Sequence, residues 1–207
     1  MALAYGLQNI PTFQHSNLPP MHSLIIFASG RGSNAQAIID YFREQGTARV
    51  ALIVTNKADA GVLQIAVRDK IPSLIIDRKR LAEQMILTEL EQYKPSLIVL
   101  AGFLLKIPPS IIDAYRGRIV NIHPALLPNY GGKGMWGHHV HEAVLASEDT
   151  QSGISIHLVD EEYDHGATLL QARCRVLAGD TADTLAARIH HLEHFYYPRS
   201  IDFLLKQ

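Results

Sequence analysis

The sequence predicts an α/β fold: a single domain built on a mostly parallel sheet with helices on both faces. Three observations carry this. Short apolar runs recur from Met21 onward, they are separated by segments with helical spacing, and a glycine-rich loop joins the first run to the first helix. Strands that are apolar on both faces and alternate with helices belong to parallel sheets covered on both sides.

Taken in order, Leu24–Phe27 is a buried-strand run that ends at Ser29-Gly30-Arg31-Gly32-Ser33. Ala35, Ile38, Ile39 and Phe42 then fall at i, i+3, i+4 and i+7, which predicts a helix stopped by Gly46. Val50–Val54 is a second strand, 61–70 a helix and 73–76 a third, short strand. A helix over 81–93 is expected to bury Leu81, Met85 and Leu90, and Leu97–Leu100 is a fourth strand. Beyond Arg118 the pattern changes: Ile119–Ile122 is a strand, and Ile154, Ile156 and Leu158 alternate on one side of 153–159. Leu169–Leu177 is a further strand. Residues 180–205 read as one long helix, capped by Thr181 and kinked at Pro198. Residues 1–20, with Pro11, Pro19 and Pro20, are expected to be a flexible extension ahead of a domain over 21–207.

Composition narrows the function. Of 207 residues, 47% are apolar, enough for a sizeable core, and 19 Lys and Arg against 20 Asp and Glu leave a net charge of −1. A near-neutral chain lacks the clustered cations that nucleic-acid binding needs. No apolar run reaches the ~18 residues of a membrane span, and the first twenty residues lack the pattern of a secretory signal. The single cysteine, Cys174, reads as a buried structural thiol in a reducing compartment. Together these point to a cytoplasmic protein with small-molecule substrates.

In parallel α/β sheets ligands bind beyond the carboxyl ends of the strands, so the loops there hold the candidate site. Gly32, Ser33 and Asn34 open the first helix, where glycine admits close approach and free N–H groups attract an anion, usually phosphate. Gly30, Gly32 and Ala35 also satisfy a relaxed dinucleotide fingerprint, which raises a rival reading as a Rossmann nicotinamide oxidoreductase. That reading requires an acid after the second strand, where this chain has Thr55-Asn56-Lys57. A monophosphate fits better.

Asn121-Ile122-His123-Pro124 is the most informative stretch. Residues two apart on a strand face the same side, so Asn121 and His123 point together, and Pro124 and Pro128 stiffen the exit. An amide donor beside an imidazole suits a reaction in which a carbonyl oxygen becomes negative. Of the four acids over 160–164, Asp164, ahead of Gly166, is the one expected to be turned inward, and beside His123 it would favour the imidazolium form. A metal enzyme is a separate reading, built on His138-His139-x-His141 or on His190 with His194. Neither set has a metalloprotease-like form or a completing cysteine or carboxylate, so no metal is expected.

Ser29–Asn34, Leu100-Ala101-Gly102-Phe103, Asn121–Pro124 with Leu126-Leu127-Pro128, Asp164 with Gly166, Ala178-Gly179-Asp180 and Glu193-His194 occur in that order. In this the chain resembles the folate-dependent phosphoribosylglycinamide formyltransferases over residues 21–207. The resemblance implies the formyltransferase fold and formyl transfer from 10-formyltetrahydrofolate, without a metal, to N1-(5-phosphoribosyl)glycinamide in purine biosynthesis. It places Asn121, His123 and Asp164 as the catalytic trio and Gly32, Ser33 and Asn34 at the nucleotide phosphate. It puts Glu193 near the glycinamide end, and Leu104, Leu105, Lys106 and Ile107 along the folate pocket, with Arg78 the best match to a folate-contacting arginine within Arg78-Lys79-Arg80. It leaves a homodimer open.

Two departures stand out. Leu104-Leu105 replaces a Met-Arg pair common in the family, a change that backbone contacts to a pterin would survive. The segment 131–137 is longer than usual, and its Trp136 reads equally as a lid over the folate or as a hydrophobic anchor. The alternatives are other formyl-folate enzymes. Methionyl-tRNA formyltransferases normally add a carboxyl-terminal domain and a basic surface, and formyltetrahydrofolate hydrolases normally carry a preceding regulatory domain.

Overall fold

A computed structural model describes residues 21–207; the expectation of a flexible extension over 1–20 lies outside the described residues. The elements are β1 (His22–Phe27), α1 (Ser33–Gln45), β2 (Ala48–Thr55), α2 (Val62–Arg68), β3 (Ser73–Ile75), α3 (Arg78–Leu81), α4 (Met85–Glu91), β4 (Leu97–Leu100), α5 (Pro109–Ala114), β5 (Ile119–His123), α6 (His138–Ala146), β6 (Gln151–Leu158), β7 (Thr168–Arg175) and α7 (Ala182–Leu205). They form one seven-stranded sheet in the order β3-β2-β1-β4-β5-β6-β7. The first five strands of that order run parallel; β6 pairs antiparallel with β5, and β7 antiparallel with β6.

The two-residue period of β1 divides the core. Leu24 and Ile26 enter a cluster with α1, α2 and α7 residues such as Ile38, Phe42, Ile65, Leu185 and Ile189. Ile25 and Phe27 enter the opposite cluster with Leu81, Ile86, Leu90, Ile111 and Ile112. Burial on both faces removes the alternation from the sequence and leaves the continuous apolar runs seen there. α1 buries Ala35, Ile38, Ile39 and Phe42 as its spacing requires, and ends where Gly46 turns left-handed and donates to the Phe42 carbonyl.

Several local readings are corrected. The helix expected over 81–93 is two helices, α3 and α4, broken at Ala82–Gln84. The break rotates the second piece, so Ile86 rather than Met85 packs inward beside Leu90, and Met85 is 66% exposed. α5 was not anticipated from its short apolar content; Pro109 starts it, where a missing N–H costs nothing. α7 stays helical on both sides of Pro198, the position expected to kink it, and the proline is buried. The adjacent Tyr197, fully buried, shares its hydroxyl proton between the carbonyls of Leu100 (2.9 Å) and Val120 (3.0 Å), holding α7 against β4 and β5. Thr181 caps α7 through a reciprocal pair of bonds with Thr184, at 3.3 and 2.9 Å.

Candidate active site

A cleft of about 710 Å³ opens along the carboxyl ends of β1, β4 and β5, closed on its far side by the loop after β6 and by the 132–137 segment. It is lined by residues of the 29–34 loop, Arg78, 100–107, 121–124, 132–137, Asp164 and Glu193, but not by 126–128 or 178–180.

At one end lies the loop between β1 and α1. Gly32 sits at φ 86°, and a Cβ there would fall 2.8 Å from Ile65 and 2.9 Å from Val62, so a side chain is excluded by both conformation and space. No side chain caps α1, which leaves the N–H groups of its first turn directed at the cleft. Ser33 is exposed beside them. Asn34 behaves differently from the expectation of a phosphate donor. Its amide nitrogen donates to the Glu193 carboxylate at 2.9 Å, and its oxygen is buried without a partner. Glu193 on α7 is 6% exposed, and burial pushes its carboxyl up to about 7, opposed by Asn34. Next to it, burial, His194, Arg31 and His191 depress the His190 imidazole.

The loop is tied to the other end of the cleft through Ser29. Its hydroxyl donates to Asn56 and accepts the Leu104 N–H at 2.9 Å. Asn56 follows β2, where a dinucleotide enzyme would hold a ribose with an acid; here it braces the loop. Leu104, Leu105, Lys106 and Ile107 line the cleft, and Lys106 reaches over the Tyr163 ring at 5.3 Å. The basic triplet divides: Arg78 faces this cleft, Lys79 and Arg80 face a neighbouring groove, and Arg80 is paired with Glu89 at 2.9 Å.

The centre is assembled by strand register. β5 pairs with β6 so that Asn121 lies opposite His157 and His123 opposite Ser155. Asp164 arrives from the following loop with φ 56°, a left-handed conformation that Asp tolerates better than most residues. Gly166 permits that loop to fold back, since a Cβ there would lie 1.9 Å from the Leu158 carbonyl oxygen. Asp164 Oδ2 accepts the Gly132 N–H at 2.9 Å and stands 3.5 Å from His123 Nδ1; Oδ1 stands 3.5 Å from the Asn121 amide nitrogen. Burial raises the Asp164 carboxyl, but the two neighbouring histidines and the Gly132 N–H together hold it below its ordinary value.

His123 is 3% exposed, and its Nε2 donates to the Tyr130 carbonyl at 2.7 Å. Burial lowers its pKa, against the opposing pull of Asp164 and Tyr130. The carboxylate thus acts in the direction expected from sequence, yet desolvation outweighs it and the imidazole is neutral more readily than a free one. With the Nε2 proton committed to Tyr130, Nδ1 is the atom left to take up or release a proton, on the side that faces Asp164.

The remaining histidines do not converge. His190 and His194 stack face to face at 6.1 Å, and among the described residues no group of three or more histidine, cysteine or acidic side chains is arranged to hold a metal ion. Cys174 is partly buried in β7. Trp136 is 50% exposed on the rim, with its ring edge-on to His139 at 5.1 Å.

The family described as formyl transferase matches residues 22–201. The chain belongs to the formyl transferase family. It is 37% identical over 190 residues to the phosphoribosylglycinamide formyltransferase of Escherichia coli, covering 87% of this chain and 86% of that one. It is 41% identical over 189 residues to the chloroplastic phosphoribosylglycinamide formyltransferase of Arabidopsis thaliana, covering 88% of this chain but only 65% of the plant protein. The crystal structure of glycinamide ribonucleotide transformylase 1 from Symbiobacterium toebii superposes with a TM-score of 0.83 at 31% identity, covering 95% of this chain and 93% of that one.

Two members of this formyl transferase site escaped the sequence reading. Ser155 donates to the Ala125 carbonyl (2.8 Å) and accepts the Leu127 N–H (2.9 Å), pinning the proline-framed exit from β5. His157 contacts both Asn121 and Asp164. The signal was present: the alternation of Ile154, Ile156 and Leu158 places Ser155 and His157 together on the opposite face of β6.

Proposed function

We propose that this chain transfers the formyl group of 10-formyltetrahydrofolate to the amine of N1-(5-phosphoribosyl)glycinamide, a step of de novo purine biosynthesis, with Asn121, His123 and Asp164 as its catalytic residues. One observation carries the reading: a single cleft holds an uncapped helix N-terminus at one end, the Leu104–Ile107 segment with Arg78 at the other, and an amide–imidazole–carboxylate group between them. The names of the relatives support the same acceptor.

The phosphate of the nucleotide sits against the N–H groups of Gly32, Ser33 and Asn34, with the Ser33 hydroxyl beside it. Glu193, protonated part of the time near neutral pH, contacts the polar end of the acceptor. The folate ring lies along Leu104–Ile107, with its carboxylate end toward Arg78. The neutral amine then attacks the formyl carbon; the carbon–nitrogen bond forms and the carbonyl electrons move to oxygen. Asn121 donates to that oxyanion. The attacking nitrogen loses a proton toward Asp164, directly or through a water, and that proton passes by way of His123 Nδ1, 3.5 Å from the carboxylate, to the folate nitrogen as its bond to the formyl carbon breaks and the carbonyl re-forms. Protons balance, and no metal is needed.

The test supplies formyl-folate with the amine nucleotide, with methionyl-tRNA, or with no acceptor, in the presence of a chelator, and follows the folate absorbance. Turnover with the nucleotide alone is expected. Turnover only with tRNA or water, or loss with chelator restored by zinc, overturns the reading.

A further inference from the structure

His157 is 2% exposed, lines the cleft and lies directly across from Asn121 on the neighbouring strand. Its Nδ1 lies 2.8 Å from the carbonyl oxygen of Leu158. A carbonyl only accepts, so Nδ1 carries the proton; a bare nitrogen at that distance would set two lone pairs against each other. In the neutral ring the proton on one nitrogen leaves the other as an acceptor, so Nε2 is bare. Nε2 lies 3.1 Å from the Asn121 amide nitrogen and 3.6 Å from Asp164 Oδ1. The first is a hydrogen bond and the second is too long for one.

We propose that His157 is a positioning residue that fixes the orientation of the Asn121 amide. The Leu158 carbonyl selects the tautomer, the tautomer makes Nε2 an acceptor, and the acceptor selects the NH₂ edge of Asn121. Turning the amide over would place its oxygen against the bare Nε2. With one N–H held by His157, the second N–H of Asn121 projects toward Asp164 and the space where the formyl oxygen gains charge. An asparagine alone on a strand end has two nearly equivalent settings, of which only one presents a donor. The chain of bonds from Leu158 through His157 removes the other. The idea rests on the oxyanion role of Asn121 proposed above.

Two measurements separate its fate from that reading. The first uses the wild-type protein without substrates: the nitrogen-15 shifts of His157, at a pH where the ring is neutral, are expected to show Nδ1–H and a bare Nε2. An Nε2–H tautomer overturns the proposal whatever the enzyme transfers.

The second is kinetic. His157→Phe keeps the ring shape but removes both hydrogen bonds, and is expected to lower kcat about 10- to 100-fold, less than the loss typical of deleting an oxyanion donor outright. KM for either substrate is expected to move less than threefold. His157→Gln, which can return an acceptor to the amide, is expected to recover most of the loss and also guards against a Phe variant that fails to fold. In a double-mutant cycle, adding either His157 variant to Asn121→Ala should cost nothing further if His157 works through that amide. Additive losses, or equal losses for Phe and Gln, overturn the proposal. Absence of formyl transfer in the wild type condemns the functional reading instead and leaves the tautomer result standing.

Discussion

Two carboxylates share the cleft and are driven in opposite directions. Asp164 and Glu193 are both largely withdrawn from water, yet Asp164 is held below its ordinary pKa while Glu193 rises to about 7. The difference lies in their company. Asp164 has a backbone N–H from Gly132 and two histidines within 3.6 Å; Glu193 has one amide hydrogen from Asn34. Desolvation acts on both, and the hydrogen-bond donors and ionisable rings around each decide which form survives. One cleft therefore supplies a carboxylate that accepts protons where the chemistry is proposed, and a carboxyl that can donate a hydrogen bond where the nucleotide is proposed to lie.

The comparison is tested hardest at the chemical corner. Asn121→Ala is expected to lower kcat about 10²–10³-fold while leaving nucleotide binding intact, as loss of one oxyanion donor does. Near-normal turnover in a steady-state assay would remove the role. Asp164→Asn, a change that the left-handed backbone accepts, is expected to cost about 10²-fold or more, because proton transfer from the amine loses its acceptor. It also removes the negative charge that opposes desolvation at His123, so the His123 pKa should fall below that of the parent. Titration of the His123 ring by NMR in both proteins checks this, and an unchanged value would confine Asp164 to holding a water.

The contrast between the two carboxylates also marks what sequence could reveal. Strand runs, the Gly32 loop and the Asn121–His123 pair are local patterns, and each is found where its pattern puts it. Asp164 stood out because Gly166 follows it in the chain. The rest depends on pairing across long separations. His157 meets Asn121 only through antiparallel register, and Asn34 meets Glu193 across 159 positions. The same blindness explains the helical errors: nothing local shows that α3 stops at Leu81, and a restart after Ala82–Gln84 turns Met85 out to solvent. The balance at His123 was equally out of reach, since the sign of Asp164's effect follows from charge alone but its defeat by burial requires the packed environment.

Glu193 offers the next largest effect, read in stability. Its carboxyl is raised from the 4.5 of a free glutamate to about 7. The folded state therefore holds a proton that the unfolded chain has released, and stability present below about pH 4.5 is lost as pH climbs through 7. The whole effect is at most about 3 kcal/mol. His123, His141, His190 and His194 pull the other way: their pKa values are depressed, His141 to about 4, so their contribution is present at high pH and lost as pH falls. The parent alone cannot separate the two, but the difference between the parent and Glu193→Gln can. In urea unfolding, the variant is expected to gain on the parent between pH 5 and 8. A pH-independent difference would mean that the carboxyl ionises normally in the fold.

The smallest effect concerns the rim of the cleft. Trp136 is the only tryptophan in the chain, half exposed, with its ring edge-on to His139. An anchor packs its ring into the core, and a residue left half in water has little burial to lose, so Trp136→Ala is expected to change unfolding stability by less than about 0.5 kcal/mol. A lid behaves otherwise: its ring exchanges water for ligand when the cleft fills. Because no other tryptophan contributes, the fluorescence of the native protein reports this ring alone. Addition of a formyl-folate analogue is expected to shift the emission to the blue or quench it, whereas the amine nucleotide alone, bound at the Gly32 end, leaves it nearly unchanged. If the analogue binds by calorimetry with no change in emission, Trp136 stays in solvent and takes no part in closing the cleft. If the nucleotide alone produces the full change, the 132–137 segment answers to the phosphate end, and the division of the cleft into two ends is drawn in the wrong place.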